Sequence, residues 1–329
     1  MGPMNSQPTP QTRAVIDIGT NSVKLLVATV AGSQITPLLE TSTQTRLGSG
    51  FYATRQLQPA AIAATADAAA RYSAAAAKLR AASIRVIATS AVRDALNAPE
   101  LAAAILQQTG LPIQILSGEQ EAEWVFRGVV GNPALATLPV LILDVGGGST
   151  EFIVGQNSVP HFCRSYPLGT VRLLEQLQPP VPPGLDSLAR CRALLRDFLE
   201  KQVVPGLQPA LRQCTAAPQL VGTSGTASIL ARIEAKSSKF DRDQIEATVL
   251  PLARIRSLLE QQWQLPLALR RETPGLPPDR ADVILTGIAI YESIMDRFAF
   301  QNLRISTRGL RYWALLHPPQ PVAAVYDRR

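Results

Sequence analysis

The residues best suited to chemistry form an eight-residue stretch, Asp144-Val-Gly-Gly-Gly-Ser-Thr-Glu151. Apolar runs at residues 140–143 and 152–154 lie directly before and after it. A short apolar run bounded by glycine is typical of a buried strand, so the stretch is predicted to be a tight turn between two strands. Consecutive glycines let backbone N–H groups converge on one ligand without a Cβ in the way, and phosphate oxygens suit such a turn. The candidate phosphate-binding residues are Gly146, Gly147, Gly148, Ser149 and Thr150.

Two acidic residues, Asp144 and Glu151, begin and end this turn. Carboxylates repel a bare phosphate, so their presence favours a metal ion, a water molecule that must be oriented, or both. The alternative is a glycine-rich hairpin turn whose acids are solvated. The stretch alone does not distinguish between these two interpretations.

A second stretch near the start of the chain has the same layout, Ala14-Val-Ile-Asp17-Ile-Gly19-Thr-Asn-Ser22. Residues 23–28 follow it as a second apolar strand, and each copy then continues with a turn and another strand. Such an internal repeat predicts two similar halves, each with a phosphate-binding loop. Two loops facing each other across a cleft could hold a chain of phosphates from both sides. Asp17 is a third candidate metal ligand, and the candidate phosphate-binding residues are Gly19, Thr20, Asn21 and Ser22.

Length and composition bound the class of protein. A chain of 329 residues suggests two domains, and 46% hydrophobic with 17% charged residues describes an ordinary soluble protein. No apolar run approaches the roughly 20 residues that span a bilayer. Residues 1–8 lack the charged and apolar blocks of a signal peptide. We therefore expect a cytoplasmic protein without a membrane partner.

The cysteines and histidines exclude several kinds of site. Cys163, Cys191 and Cys214 are isolated and show no metal-ligand spacing, so they are predicted to be small buried or half-buried side chains in a reducing compartment. His161 and His317 are the only histidines. A phosphohistidine enzyme or a hydrolase with a histidine-bound metal is therefore not expected.

The formal net charge is +7, and 27 of the 32 basic residues are arginines. Guanidinium groups suit bidentate phosphate contacts, and a positive field would attract a polyanion. A base-composition bias is the alternative explanation, because alanine and proline are also abundant. Nucleic acid is not an expected partner, since no basic run or aromatic stacking motif accompanies the charge.

Sequence patterns also predict the elements that position these loops. Helices are predicted at residues 59–82, 99–109, 185–204 and 308–316, with others beginning near Ser117, Ala227 and Arg280. Strands are predicted at residues 84–88, 113–116, 219–221 and 303–306. The turn at residues 222–226, Gly-Thr-Ser-Gly-Thr, opens a helix and suits an anion or a nucleotide. A plain strand-to-helix connection is the alternative there.

The pair of loops resembles the two phosphate motifs of the actin, Hsp70 and sugar-kinase superfamily. Within that group, the segments from about residue 15 to about residue 315 are similar in order to those of the exopolyphosphatase and guanosine pentaphosphate phosphohydrolase family, in a short two-domain form. The segments that carry the resemblance, besides the two loops, are residues 89–97, 117–123, 166–173 and 280–287. Tyr312 and Trp313 depart from the family, which more often has acidic and small residues there, and leave the contacts at the domain seam open.

The resemblance implies roles for three further residues. Glu121 precedes Ala122, as the proposed catalytic glutamate of the family precedes an alanine, and is expected to be the base that activates water. Arg93 is expected to contact phosphate, with a surface arginine paired to Asp94 as the alternative. Arg280 begins the family's Arg-x-Asp segment and is also expected to bind phosphate.

The fold implied by the resemblance is α/β, with two similar actin-like (ribonuclease H-like) domains and an interdomain phosphate-binding cleft. The predicted division is, in chain order, a disordered tail at residues 1–11, domain I at 12–127, domain II at 128–298, a strand and helix at 299–316 that pack back on domain I, and a tail at 317–329.

The activity implied by the resemblance is hydrolysis of the terminal phosphate of inorganic polyphosphate. Mg²⁺ or another divalent cation would be held by Asp144 and by Glu151 or Asp17, with Glu121 and Arg93 completing the catalytic set. Three alternatives stay open: guanosine pentaphosphate (pppGpp) as the substrate, an ATP-using kinase or actin-like ATPase with the same fold, and a non-catalytic polyphosphate sensor. A homodimer is also left open, with no independent indication in the sequence.

Overall fold

The computed structural model describes residues 9–317 and divides them into two compact units. Unit 1 contains residues 9–117 and 311–317, and unit 2 contains residues 118–310. The chain is therefore divided between Ser117 and Gly118, ten residues before the predicted boundary. The predicted tails lie outside the described residues, apart from residues 9–11 and 317.

Unit 1 is built on a five-stranded sheet. Its strands are β1 (Gln11–Ile18), β2 (Ser22–Ala31), β3 (Gln34–Gln44), β4 (Ser83–Ala88) and β5 (Ile113–Ile115). The order is β3-β2-β1-β4-β5, in which β1 to β3 form an antiparallel meander and β4 and β5 run parallel to β1. The helices of this unit are α1 (Phe51–Thr54), α2 (Pro59–Lys78), α3 (Ser90–Asp94) and α4 (Ala98–Thr109).

Alanines allow α2 to pack closely in unit 1. Ala66, Ala69 and Ala76 are fully buried in the core that α2 forms with the sheet and with α4. Short side chains let neighbouring elements approach without voids, and alanine is also the best helix former. The alanine-rich composition that predicted a helix here therefore also sets its packing distance.

Unit 2 repeats this arrangement on a six-stranded sheet. Its strands are β6 (Val140–Val145), β7 (Thr150–Gln156), β8 (Val159–Tyr166), β9 (Gln219–Thr223), β10 (Val249–Pro251) and β11 (Asn302–Ile305). As in unit 1, β6 to β8 form an antiparallel meander, and β9 and β11 continue the sheet parallel to β6. The sheets differ by one strand at the edge, where β10 pairs antiparallel with β11. The predicted α/β fold with two similar halves is confirmed, and the phosphate-binding cleft stays a prediction.

The remaining helices complete unit 2. They are α5 (Gly118–Val130), α6 (Thr170–Leu177), α7 (Leu185–Phe198), α8 (Val204–Arg212), α9 (Ser224–Glu234), α10 (Arg242–Glu246), α11 (Leu252–Gln264), α12 (Leu267–Arg270) and α13 (Ile284–Arg297). A π-helical turn, Leu199–Val203, joins α7 to α8, and a 3₁₀ turn, Pro278–Arg280, precedes α13. Arg280 thus lies before the helix that it was predicted to begin.

The end of the chain is shared between the units. β11 pairs with β9 and β10 in unit 2, which differs from its predicted place on domain I. The last helix, α14 (Leu310–Leu316), belongs to unit 1 from Arg311 onward. There Arg13 donates to the carbonyl oxygen of Leu315 at 2.9 Å, and Arg311 pairs with Glu40 at 2.8 Å. None of the helices between residues 9 and 317 is both long and apolar enough to cross a lipid bilayer.

A backbone contact at Gly128 fixes the second half of α5. A Cβ on Gly128 would lie 2.0 Å from the carbonyl oxygen of Gly309 and 2.5 Å from its carbon. Gly128→Ala is therefore expected to lower the free energy of unfolding by about 2 kcal/mol, although alanine is ordinarily favoured over glycine within a helix. Denaturant unfolding measures the change. Gly206→Ala in α8 is the control, because its nearest neighbours are aromatic side chains at 3.2 Å or more, and an equal loss in both variants would contradict the prediction.

Candidate active site

The turn between β6 and β7 is tight and places two acids side by side. The Gly146 N–H donates to the carbonyl oxygen of Ser149 at 3.0 Å, which closes the turn. The strand register sets Asp144 directly opposite Glu151. Directly opposed residues of an antiparallel pair lie on the same face of the sheet, so the two carboxylates are neighbours. The predicted tight turn between two strands is confirmed, and its two acids are buried.

Helix α6 orients the amide groups of this turn. The first three N–H groups of α6 donate to the carbonyl oxygens of Gly146 and Gly147 at 2.9 to 3.1 Å, and Arg172 Nε donates to the carbonyl oxygen of Gly148 at 2.9 Å. These peptides are trans, and in a trans peptide the C=O and N–H groups point in opposite directions. The N–H groups of residues 147–149 therefore point away from α6. Three adjacent N–H groups with a shared direction form a concave anion site.

The turn between β1 and β2 in unit 1 has the same shape. The Gly19 N–H donates to the carbonyl oxygen of Ser22 at 3.0 Å. Two backbone N–H groups from the segment after β3 donate to the carbonyl oxygens of Thr20 and Asn21, at 2.7 and 3.0 Å. By the same reasoning, the N–H groups of residues 21 and 22 point away from that segment. Each unit therefore holds its loop by the carbonyl side and presents the amide side.

The two loops differ in charge at one equivalent position. Asp17 lies opposite Lys24 in unit 1, where Asp144 lies opposite Glu151 in unit 2. Lys24 Nζ is 4.0 Å from Asp17 Oδ2. Unit 1 thus presents an acid and a base, whereas unit 2 presents two acids, which makes Asp17 the weaker candidate for a metal ligand. Lys24 was not predicted as a site residue, although aligning residues 17–24 with residues 144–151 would have found it.

Unit 2 gathers three buried acids. Glu121 in the first turn of α5 is 7% exposed, Asp144 is 8% exposed and Glu151 is 1% exposed. Burial raises the pKa of the Glu151 carboxyl well above its usual value, and the negative charges of Glu121 and Asp144 raise this pKa further. Hydrogen bonds from Ser165 and Ser149 act in the opposite direction on the pKa of Glu151. Buried acids with strongly shifted pKa values are typical of functional sites.

Serine hydroxyls hold two of these carboxylates. Glu151 Oε1 accepts hydrogen bonds from Ser149 Oγ at 2.8 Å and from Ser165 Oγ at 2.7 Å. Asp144 Oδ2 accepts one from Ser224 Oγ at 2.7 Å. Ser224 begins α9 with φ at +66°, a left-handed conformation that costs a non-glycine residue on the order of 1 kcal/mol. Ser165 and Ser224 were not predicted as site residues.

The Ser149 and Thr150 hydroxyls, which were predicted as phosphate donors, donate hydrogen bonds to other groups of unit 2. Ser149 Oγ donates to Glu151, and Thr150 Oγ1 donates to the carbonyl oxygen of Leu168. Thr150 is also completely buried. The donors that this loop offers to a phosphate are therefore its backbone N–H groups.

The two predicted arginines lie in different units. In unit 1, Arg93 Nη1 donates to the carbonyl oxygen of Leu116 at 3.2 Å, and Arg93 Nε lies 3.8 Å from Asp94 Oδ1. The arginine is thus partly buried, with 21% of its side chain exposed, and its contact with phosphate stays a prediction. In unit 2, Arg280 Nη2 would lie 3.6 Å from a Cβ on Gly225, beside the start of α9. Unit 2 therefore brings Arg280 to the N-terminal end of α9, whose first residue, Ser224, donates a hydrogen bond to Asp144.

The residues of unit 2 fit a divalent cation bound jointly with phosphate. No group of three or more His, Cys, Asp or Glu side chains between residues 9 and 317 is arranged to hold a metal. Mg²⁺ is commonly held by only one or two carboxylates, with phosphate oxygens and water completing its shell. Asp144 and Glu151 offer such oxygens from adjacent strands. A cation beside them would also offset the cost of burying their charge.

Glu151→Gln is expected to stabilise the protein at neutral pH when divalent cations are absent. With its raised pKa, the folded state keeps a proton that the unfolded state loses above the ordinary value of 4.5, so the free energy of unfolding falls as the pH rises. Glutamine removes this penalty. The Tm of the variant in EDTA should exceed that of the wild type at about pH 8, and the difference should disappear at about pH 4. A difference equal to that of the exposed control Glu119→Gln would contradict the prediction.

Known proteins resemble this chain over nearly its whole length. The family model of the Ppx/GppA phosphatase family matches residues 25–316. Exopolyphosphatase 2 of Mycobacterium tuberculosis is 34% identical over 315 residues, which cover 90% of this chain and 95% of that protein. The structure of an exopolyphosphatase from Cytophaga hutchinsonii is similar with a TM-score of 0.83 and 25% identity, covering 93% of this chain and 96% of that one. The Aquifex aeolicus PPX-GPPA enzyme is similar with a TM-score of 0.75 and 27% identity, covering 93% and 99% of the two chains.

Proposed function

The chain belongs to the Ppx/GppA phosphatase family, and we propose that within it this protein removes the terminal phosphate from inorganic polyphosphate. Membership makes it an enzyme, a phosphoanhydride hydrolase. The observation that supports hydrolysis of polyphosphate is the cluster of three buried acids beside the N–H groups of residues 147–149. Such a cluster can activate water next to a site that holds a phosphate group.

In the proposed complex, backbone N–H groups bind the oxygens of the phosphate chain. Gly146, Gly147, Gly148 and Ser149 form the loop in unit 2, and Arg280 adds a charged contact there. Residues 19–22 and Arg93 are proposed to bind phosphate from unit 1. Main-chain donors fixed by neighbouring elements cost no reorganisation when charge develops on the transferred group.

The proposed chemistry is in-line attack by water on the terminal phosphorus. A new O–P bond forms, the bridging P–O bond breaks, and the shortened chain leaves with the electron pair of that bond. Glu121 accepts the proton of the attacking water. Mg²⁺ or another divalent cation, held by Asp144 and Glu151, would supply positive charge for the phosphate oxygens. Positioning and electrostatics carry most of phosphoryl transfer, so a carboxylate is a sufficient base.

Phosphate release by the purified protein tests the proposal. Long-chain polyphosphate, pppGpp and ATP are compared in the presence of Mg²⁺, with EDTA as the control. Preferential release from polyphosphate is the expected result. Preference for pppGpp would change the proposed substrate but not the proposed reaction, since both substrates present a terminal phosphoanhydride. Transfer of phosphate from ATP to an acceptor would instead indicate a kinase.

Binding without turnover would contradict the proposal in a different way. A folded wild-type protein that binds polyphosphate and releases no phosphate would be a sensor.

The cytoplasmic location and the homodimer stay predictions. Cell fractionation and light scattering of the purified protein measure these two properties.

A further inference from the structure

Ser165 holds the most deeply buried of the three acids. It lies in β8 directly opposite Glu151, and its Oγ donates to Glu151 Oε1 at 2.7 Å. Ser149 donates to the same oxygen from within the turn. Two donors on one oxygen, one from β8 and one from the turn before β7, define the orientation of the carboxylate more closely than either could alone.

The same serine also limits how closely α5 can approach. A Cβ on Gly118, the first residue of α5, would lie 2.7 Å from Ser165 Cβ and 3.3 Å from Ser165 Oγ. The start of the helix therefore lies against the side chain of Ser165. Glu121 follows three residues later, in the first turn of α5, so its position depends on where the helix begins.

The electrostatics show why such a support is needed. Glu121 and Glu151 are both buried acids, and the charge of Glu121 raises the pKa of Glu151. Like charges at close range repel, and burial strengthens the repulsion because less solvent screens it. Because the carboxylates of Glu121 and Glu151 repel each other, contacts with neighbouring atoms must determine the distance between them.

We propose that Ser165 is a positioning residue for hydrolysis: its hydroxyl orients Glu151, and its Cβ fixes the start of the helix that carries Glu121. A single side chain then sets the spacing between the proposed metal ligand and the proposed base. This inference rests on the proposed function. Ser165 lies outside both candidate phosphate-binding loops, and its role depends on strand register and helix packing.

Two variants separate the two contacts of Ser165. Ser165→Ala removes the hydroxyl and keeps the Cβ, and it should lower both kcat and the affinity for Mn²⁺ by about 10- to 100-fold, as loss of a residue that supports a metal ligand does. Its KM for polyphosphate should stay near that of the wild type. Gly118→Ala keeps the hydroxyl and crowds the Cβ, and it should lower kcat with Mn²⁺ affinity unchanged. Steady-state phosphate release gives kcat and KM, and electron paramagnetic resonance gives Mn²⁺ affinity.

The control is Ser158→Ala, in the turn at the other end of the β7–β8 hairpin, where the hydroxyl donates to the carbonyl oxygen of Ala136. Wild-type kcat and Mn²⁺ affinity in Ser165→Ala would overturn the proposal, as would an equal loss in the control. If Ser165→Ala does not fold, Gly118→Ala decides the matter, and unchanged kcat there would overturn it. If the wild type releases no phosphate, the proposed function fails, while Mn²⁺ affinity still tests the role of Ser165.

Discussion

Glu121→Gln is expected to lower turnover of polyphosphate by about a hundredfold to ten-thousandfold, the usual contribution of a general base. An amide has nearly the size of the carboxylate but cannot accept the proton of the attacking water. Binding should be retained or slightly tightened, because one negative charge is removed near a polyanion. Single-turnover phosphate release measures the chemical step, and calorimetry with polyphosphate and Mg²⁺ measures binding.

The matched control lies two residues further along the same helix. Glu123 is 51% exposed and pairs with Arg127 at 3.5 Å, so Glu123→Gln should turn over polyphosphate at close to the wild-type rate. Retention of more than about one tenth of the wild-type rate in Glu121→Gln would remove Glu121 from the role of base. A comparable loss in both variants would instead indicate a general effect of charge on α5.

Gly169→Ala is expected to lower kcat/KM for polyphosphate by about a hundredfold, as a displacement on the order of 1 Å at a reacting centre can do. A Cβ on Gly169 would lie 2.4 Å from the carbonyl oxygen of Gly147 and 2.5 Å from the backbone nitrogen of Gly148. The loop must therefore move away from α6, and its N–H groups lose their alignment. Gly169 itself has φ at −148°, which alanine adopts readily, so the variant should still fold.

Gly184→Ala provides the control for this steric prediction. Gly184 also lies directly before a helix in unit 2, with φ at −99°, but no atom lies within 4 Å of a Cβ built on it. This variant should keep the wild-type kcat/KM. Wild-type activity in Gly169→Ala would show that the loop tolerates displacement, and would contradict the orientation that α6 is inferred to impose.

Both loops were predictable because their determinants are local. Apolar runs ending in Gly19 or Gly146 indicate strands and turns without reference to the rest of the chain. The similar strand order of the two sheets was predictable from the repeated pattern of strand, turn and strand around the two loops. Helix α6 was missed, since its eight residues follow Gly169 without the longer apolar periodicity that marks a helix in sequence.

The supporting contacts could not be predicted, because they depend on tertiary structure. Ser165 reaches Glu151 only through the register of β8 on β7. The fate of the Thr150 hydroxyl depends on a carbonyl 18 residues away. Such pairings have no period or motif in the sequence. From sequence alone, a hydroxyl next to a glycine turn is as consistent with a phosphate donor as with a donor to another group of the protein.

The domain boundary shows the same limit. The Gly-Asn-Pro turn at residues 131–133 has the composition of a linker, whereas the chain is divided before α5. The reason is packing: a Cβ on Gly155 in β7 would lie 2.4 Å from the Phe126 ring, so α5 lies directly on the second sheet. A glycine that admits an aromatic ring cannot be told from a turn glycine in sequence alone.

The two loops keep one shape with different residues at their centres. Hydrogen bonds between main-chain atoms close both turns, so Thr20 and Asn21 occupy the places of Gly147 and Gly148 without changing the closure. A shape maintained in this way tolerates different side chains, and the pair of Lys24 and Glu151 at equivalent positions shows that one scaffold accepts opposite charges. Saturation mutagenesis should accordingly find strict intolerance at Gly48 and Gly169, which contact the loops, and broader acceptance at the partly exposed Lys24. Selection for new ligand preferences would best begin at Lys24, where a new side chain need not disturb the backbone of the loop.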